Sequence, residues 1–371
     1  MSDERVVEEW KRNPYFQAFC GMKKFQWQIP CEPSDFCHFR KRIGEKGVEK
    51  IFQISSEIHG NHALESEIVV DTTVQEKNIT FPTDTKLRVK VIAKCWKIAK
   101  NEKLTLRRSY RREVKKLLRV IRFNRNKNAR LRSSAIRRLK TIANALLNDI
   151  SRKLSPQTRE KLAGELQIYF KAVNQKRADK NKIYSLHEPH VSCIAKGKEH
   201  KKYEFGNKVA LAHTITSGII VGAKDAFNEY DGNCLAPLLE QVEAITGKRP
   251  ERAFCDRGFH GRNKIGGTEI VIPDSPPKNT TTHYKRKAKA KFRRRSAVEA
   301  IISHVKHDFR MLRNYLEGIT GDKLNLLLAA AAFNFKKWMR ATARLFFVLF
   351  FIQIFMVTMS HGKKLEAIEA S

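Results

Sequence analysis

The sequence is short of acid. Its 371 residues carry 38 Asp and Glu against 73 Lys and Arg, a formal net charge of +35. Such a chain cannot neutralise its own surface, and a polyanion is the partner that relieves the repulsion. Nucleic acid leads among polyanions, with an anionic membrane surface second. Cysteine is sparse as well: the seven form no CxxC pair and no even framework. This excludes a disulfide scaffold and reads as reduced thiols in a cytosolic protein. Cys31, Cys37 and His38 lack a fourth ligand at zinc-finger spacing. Long apolar runs are missing too. The longest, Leu345 to Val357, has 13 residues and contains Gln353, short of the roughly 20 that a spanning helix needs. It is expected to form a buried or oligomer-forming helix. The opening "MSDERVVEEWKRN" mixes acids and bases and does not read as a signal peptide. The glycines at 258, 261, 266 and 267 follow no phosphate-loop pattern, and no Cys/His or Ser/His nucleophile arrangement has local support.

Hydrophobic residues make up 42% of the chain, enough for a sizeable core. Residues 1–64 read as a helical module. In "PSDFCHFRKRIGEKGVEKIF", Ser34 or Asp35 is the expected N-cap, with Phe36, Phe39 and Ile43 at helical spacing. "SEIVVDTTVQ" holds a β-branched run, Ile68 to Val70, that predicts a buried strand, and "NITFPTD" is a candidate hairpin partner. Residues 65–85 would then be the first strands of a second unit.

Residues 86–182 differ in character, with 31 Lys and Arg and 6 Asp and Glu, a balance of +25. Ile92, Cys95, Trp96 and Ala99 share a helical face, as do Ile136, Leu139, Ile142, Ala143 and Leu146. The segment reads as an amphipathic helical insertion with a basic exterior that contacts the polyanion. Strand signals return in "KKYEFGNKVALAHT", "GIIVGAKDAF", "RAFCDRG" and "TEIVIPD", with a helix stripe of Leu235, Leu238, Leu239 and Val242 among them. The pattern predicts an α/β class with a mixed sheet over 183–340, completed by the strands before the insertion. Residues 341–371 would be an apolar helix and tail.

Asp71 and Asp256 each follow an apolar strand run, and strand ends are where α/β proteins build sites. Glu299 lies on a helix, just after eight Lys or Arg and no acid between Lys285 and Arg295. Taken singly, each aspartate also fits a turn or cap, and Glu299 fits an i,i+4 ion pair with Arg295. Together the three offer the hard oxygen ligands that metal-assisted phosphodiester hydrolysis needs. Arg295, Glu299 and Lys306 lie along one helical edge, beside an apolar stripe of Val298, Ile302, Val305 and Phe309. His187, Glu188 and His190 make a poor ligand set across a proline, and His304 and His307 suit packing or phosphate contacts.

At these residues the chain resembles a known family. "VVDTTVQ", "CDRGFHG" and "FRRRSAVEAIISHVK" are similar to the three catalytic segments of bacterial insertion-sequence transposases, nearest the insertion-sequence-five family of the four/five superfamily. "SLHEPHVSCIAKGKEHKKYEFGNKV", "GDKLNLLLAAAAFNFKKW" and "PSDFCHFRKRIGEKGVEKI" also resemble that family, so the likeness spans roughly residues 10–340. The resemblance implies an RNase H-like fold with flanking helices and a DNA-binding module over 1–64. It implies that Asp71, Asp256 and Glu299 bind Mg²⁺ or Mn²⁺, as two ions, to cut and join element ends. The superfamily signature Y-x2-R-x3-E-x6-K maps onto Arg295, Glu299 and Lys306, with Phe292 where the tyrosine stands. Arg293, Arg294, Arg295 and Lys306 would hold DNA phosphates. The implied partners are double-stranded DNA, both element ends and target, and a second copy of the chain, in the bacterial cytoplasm at the nucleoid. A nuclease of the same fold that cuts without joining, or a non-catalytic DNA-binding protein, are the rival functions.

Overall fold

The computed structural model describes residues 2–124, 126–195, 202–226, 230–259, 261, 263–272, 280–284, 286 and 297–369, excepting the side chains of 231, 297 and 344–369. Three helices open the chain: α1 (Asp3–Arg12), α2 (Pro14–Phe19) and α3 (Pro33–Glu57). The α3 cap lies earlier than the sequence suggested. Glu32 is the N-cap, Pro33 occupies the first turn, and the Glu32 amide donates to the Asp35 carboxylate at 3.0 Å. Pro33 lacks an amide proton that the first turn would leave unpaired anyway, so the cap moves at least two residues earlier, from Ser34 or Asp35 to Glu32. Val48 and Phe52 from α3 are fully buried, whereas Phe39 is exposed.

Among the described residues the sheet has eight strands: β1 (Glu67–Lys77), β2 (Ser192–Ala195), β3 (Tyr203–Thr214), β4 (Ile220–Asp225), β5 (Arg252–Phe254), β6 (Lys264–Ile265), β7 (Thr268–Val271) and β8 (Arg313–Asn314). The order is β2-β3-β1-β5-β7-β6, with β4 also on β3 and β8 also on β1. β1, β5 and β7 run parallel, while β3 is antiparallel to β1, β2 and β4. This is the mixed α/β class expected. The hairpin expectation for "NITFPTD" fails, because β1 pairs with β3 from Ile68–Thr214 to Glu76–Gly206. Pro82 and the Thr83 cap turn that segment into a helix, the Thr83 hydroxyl accepting from the Lys86 amide at 3.2 Å.

Between β1 and β2 lie α4 (Asp84–Asn101), α5 (Arg111–Phe123), α6 (Ala129–Lys153) and α7 (Pro156–Asn174). They share a core that includes Ile92, Cys95, Leu139, Ile142, Leu146 and Val173. The insertion therefore buries its own apolar stripe, and most of its described basic residues face outward, the buried Arg88 excepted.

Two layers flank the sheet because its strands alternate. Ile68, Val70, Ala253 and Cys255 point to one face, under α8 (Leu235–Thr246), whose Leu235, Leu238, Leu239 and Val242 are all buried. Val69, Phe254, Val209 and Leu211 point to the other. That face is covered by α3, α9 (Ala297–His307) and α10 (Gly318–Glu369). The helix α10 continues unbroken through residue 341 and the apolar run at 345–357. Among the described residues no helix is long and apolar enough to cross a membrane.

Candidate active site

Asp71 lies within β1, not at its end as the run of apolar residues suggested. The strand continues to Lys77 because β3 accompanies it to Glu76 and β8 pairs with Glu76 and Lys77, while its parallel neighbour β5 stops at Phe254. The rim at Asp71 is thus made by the shorter neighbour. Asp256 does follow its strand, and its backbone carbonyl accepts from the Phe259 amide at 3.0 Å to open a short 3₁₀ turn.

The β1–β5 ladder gives the offset between the two aspartates. The β1–β5 ladder pairs Glu67 with Arg252, Ile68 with Ala253 and Val69 with Phe254. Continued by two residues, the same offset sets Asp71 opposite Asp256. Side chains alternate along a strand, so Asp71 shares the face of Val69, and an extended continuation puts Asp256 on the face of Phe254. Val69 and Phe254 pack with Val271 and Val298 in one cluster. Val298 is the α9 residue directly before Glu299.

Glu299 follows Val298 at the start of α9, the helix that packs on this face. Val298 is 1% exposed and fixes the first turn of α9 over the sheet. Glu299 is the next residue, rotated by about 100° and exposed. Asp71 and Asp256 are half-buried. The Asp71 carboxylate accepts from the Thr72 amide at 2.7 Å, and the Asp256 carboxylate from the Arg257 amide at 2.5 Å. Among the described residues no three His, Cys, Asp or Glu close into a group able to hold an ion. The ladder stops two residues short of both aspartates, α9 packs beside it through Val298, and the three carboxylates do not close into a cage.

Lys306 lies in the last turn of α9 and is half-buried, on the same helical edge as Glu299. Phe292, Arg293, Arg294 and Arg295 lie outside the described residues. Of the apolar stripe, Val298, Ile302 and Val305 are on α9, while Phe309 falls beyond its end and packs edge-on against Phe333. His304 pairs with Asp308 at 2.9 Å.

Sequence reasoning missed a second polar centre, at the far end of β1. Lys77, Glu188 and Asp322 are each 3–4% exposed at the side chain. The Lys77 ammonium lies 2.6 Å from Asp322 and 3.5 Å from Glu188, and donates to the Gly318 carbonyl at 3.2 Å. His190 reaches Asp322 at 2.9 Å and Glu188 at 3.4 Å. Asn207 and Asn314 also donate to Asp322, and the Gly318 amide donates to Glu188 at 3.1 Å. Glu188 and His190 thus belong to a clamp that ties β1, β3 and β8 to the start of α10. A lysine in the polar tail of a strand carries no local sign of burial, and its partner Asp322 is 245 residues away.

Near the N-terminal end of β1, His213 is 1% exposed, with Nδ1 at 2.8 Å from the Thr214 carbonyl. Burial holds its pKa below the ordinary histidine value, and the nearby Lys337 ammonium acts in the same direction.

Residues 172–335 match the family model for a transposase DDE domain, and residues 1–42 match one for a transposase domain. The chain is 42% identical over 121 residues to a curated protein of Rhizobium meliloti described as uncharacterized protein ORF8 in the nfe locus. That match covers 31% of this chain and 58% of the relative's length. No solved structure matches the chain.

Proposed function

The chain belongs to the insertion-sequence DDE transposases, and from that premise we propose that it cuts DNA at the ends of its own element and joins them to a target. The family binds DNA and uses a divalent metal. The observation that supports assigning it to particular residues is the β1–β5 ladder, whose offset if continued would set Asp71 opposite Asp256, with α9 packed on the same face through Val298, the residue before Glu299.

In this reading the three carboxylates hold Mg²⁺ or Mn²⁺, as two ions. Their chemistry fits, since each offers hard oxygen donors. When bound, the metal supplies electrostatic stabilisation of charge on the oxygens at phosphorus. The chain's own part is to position. The buried Val298 anchors the first turn of α9, which carries Glu299, and the short β5 leaves Asp71 at an accessible rim. Lys306, with Arg293, Arg294 and Arg295, binds phosphates beside the cut. Positioning and charge stabilisation carry most of phosphoryl transfer, so no protein nucleophile is required.

In this reading residues 1–64 act as an end-binding module, and the chain groups with the insertion-sequence-five family it resembles. Two element ends must meet, and one active site per end calls for a homodimer on DNA, acting at the bacterial nucleoid. The test uses the full chain, Mg²⁺ and a labelled duplex carrying an end of the element that encodes it. Joined product supports the proposal. Cleavage without joining would make the protein a nuclease, and binding alone a DNA-binding protein.

A further inference from the structure

The structure carries a second basic surface, remote in sequence from the carboxylates, on α5 of the insertion. Between residues 103 and 148 there are 16 Lys and Arg and a single acid, Glu113. Within α5, Arg111, Arg112, Lys115, Lys116, Arg119 and Arg122 are all exposed. At 3.6 residues per turn they fill an arc of about 140°, and Val114, Leu117, Leu118 and Ile121 fill the opposite side. Those four apolar residues pack into the insertion core. Glu113 is already engaged, 2.6 Å from Arg138 and 3.8 Å from Arg108. Arg111 lies over the Trp96 ring at 5.2 Å. The other five cations of the arc have no acidic partner among the described residues.

This is not how a solvated helix face is built. Exposed helices gain from opposite charges at i,i+4, and like charges at that spacing destabilise them. Arg111–Lys115, Arg112–Lys116 and Lys115–Arg119 are three such like-charge pairs on adjacent turns. The arrangement is relieved only when a polyanion lies against it. A basic amphipathic helix also suits a membrane surface, but there the apolar side must enter the lipid. In α5 that side is consumed by the core, Val114 being 3% exposed. From Arg111 to Arg122 the helix spans roughly 16 Å, the axial length of about five successive phosphates on one DNA strand.

We propose that the basic face of α5 is a docking surface for the phosphate backbone of duplex DNA, outside the site that cuts. The proposal rests on the transposase reading, since it supplies that enzyme with a sequence-independent grip on element or target DNA.

The experiment measures binding of the full chain to a labelled mixed-sequence duplex of about 30 base pairs by fluorescence anisotropy, across a salt series. Lys115→Gln/Lys116→Gln/Arg119→Gln is compared with wild type and with Lys94→Gln/Lys97→Gln/Lys161→Gln, which removes three exposed charges elsewhere in the insertion. Each lost phosphate contact flattens the slope of log affinity against log salt by about 0.9, so the α5 variant should flatten it by about 2.7 and the control by far less. Unchanged melting of the α5 variant, checked by circular dichroism, confirms an intact fold. Equal slopes in the two variants, or no change in either, would overturn the docking surface while leaving the transposase reading standing. Failure of the wild-type chain to bind duplex at all would overturn both. Binding to phosphatidylserine vesicles that depends on the α5 cations, with duplex binding unaffected, would assign the face to lipid and also overturn the proposal.

Discussion

Replacing Lys77 by methionine should unfold the sheet sooner than almost any other single change to a charged residue. The Lys77 ammonium compensates two carboxylates that are each 3% exposed, at 2.6 Å from Asp322 and 3.5 Å from Glu188. Methionine keeps most of the aliphatic volume, so packing changes little and the loss is electrostatic. Removing one partner of a buried ion pair costs about 3–5 kcal/mol, since the charge left behind stays buried. His190 and the Gly318 amide still serve the carboxylates, which favours the lower end of that range. For a folding unit of 150–250 residues each kcal/mol moves the melting temperature by about 2–4 °C, so a fall of roughly 6–20 °C is expected. Differential scanning calorimetry of wild type and Lys77→Met reads this directly. Adding Asp322→Asn should recover part of the loss, because the uncompensated carboxylate is then gone. A single variant that melts within about 1 °C of wild type would refute the view that this clamp holds β1.

Gly206→Ala should destabilise the β1–β3 pairing by about 1–3 kcal/mol or more, because the added Cβ would lie 2.0 Å from the Gln75 carbonyl oxygen, a backbone atom that cannot step aside; chemical unfolding checks it. Stability should fall with acid through His213. Its folded pKa is depressed by burial, so the unfolded chain binds the proton first, and the contribution is present above the ordinary histidine value and lost as pH drops below it. Melting curves from pH 7 to pH 5 should therefore slope less steeply in His213→Asn than in wild type. Lys306→Ala should leave melting nearly unchanged but weaken end binding or slow cleavage; normal affinity and normal cleavage would return this lysine to the surface.

Local patterns made much of the fold legible. The stripe of Leu235, Leu238, Leu239 and Val242 predicted α8, and the run at Ile68 to Val70 predicted β1, because each element buries a face whose period is written in adjacent residues. Pairing was not legible in the same way. Nothing near "NITFPTD" says that β1 will choose β3, more than a hundred residues later, or that Pro82 and Thr83 will begin a helix. The position of Asp71 within its strand failed for the same reason, since where a strand leaves the ladder depends on its neighbours. The candidate site was read as three acids of suitable type, and their spacing in the fold depends on a ladder offset that no local pattern carries. The Lys77 clamp was invisible, as its members come from five separate segments of the chain and none is apolar.

The central claim is that Asp71, Asp256 and Glu299 act as one metal-holding set, and its most direct test separates cutting from binding. Asp71→Asn, Asp256→Asn and Glu299→Gln keep shape and lose the charge that a divalent cation needs. Each is assayed beside wild type on a labelled element end in Mg²⁺, with end affinity measured on the same preparation. The account predicts that all three lose cleavage while end affinity stays near wild type. A variant that cuts at the wild-type rate would contradict it.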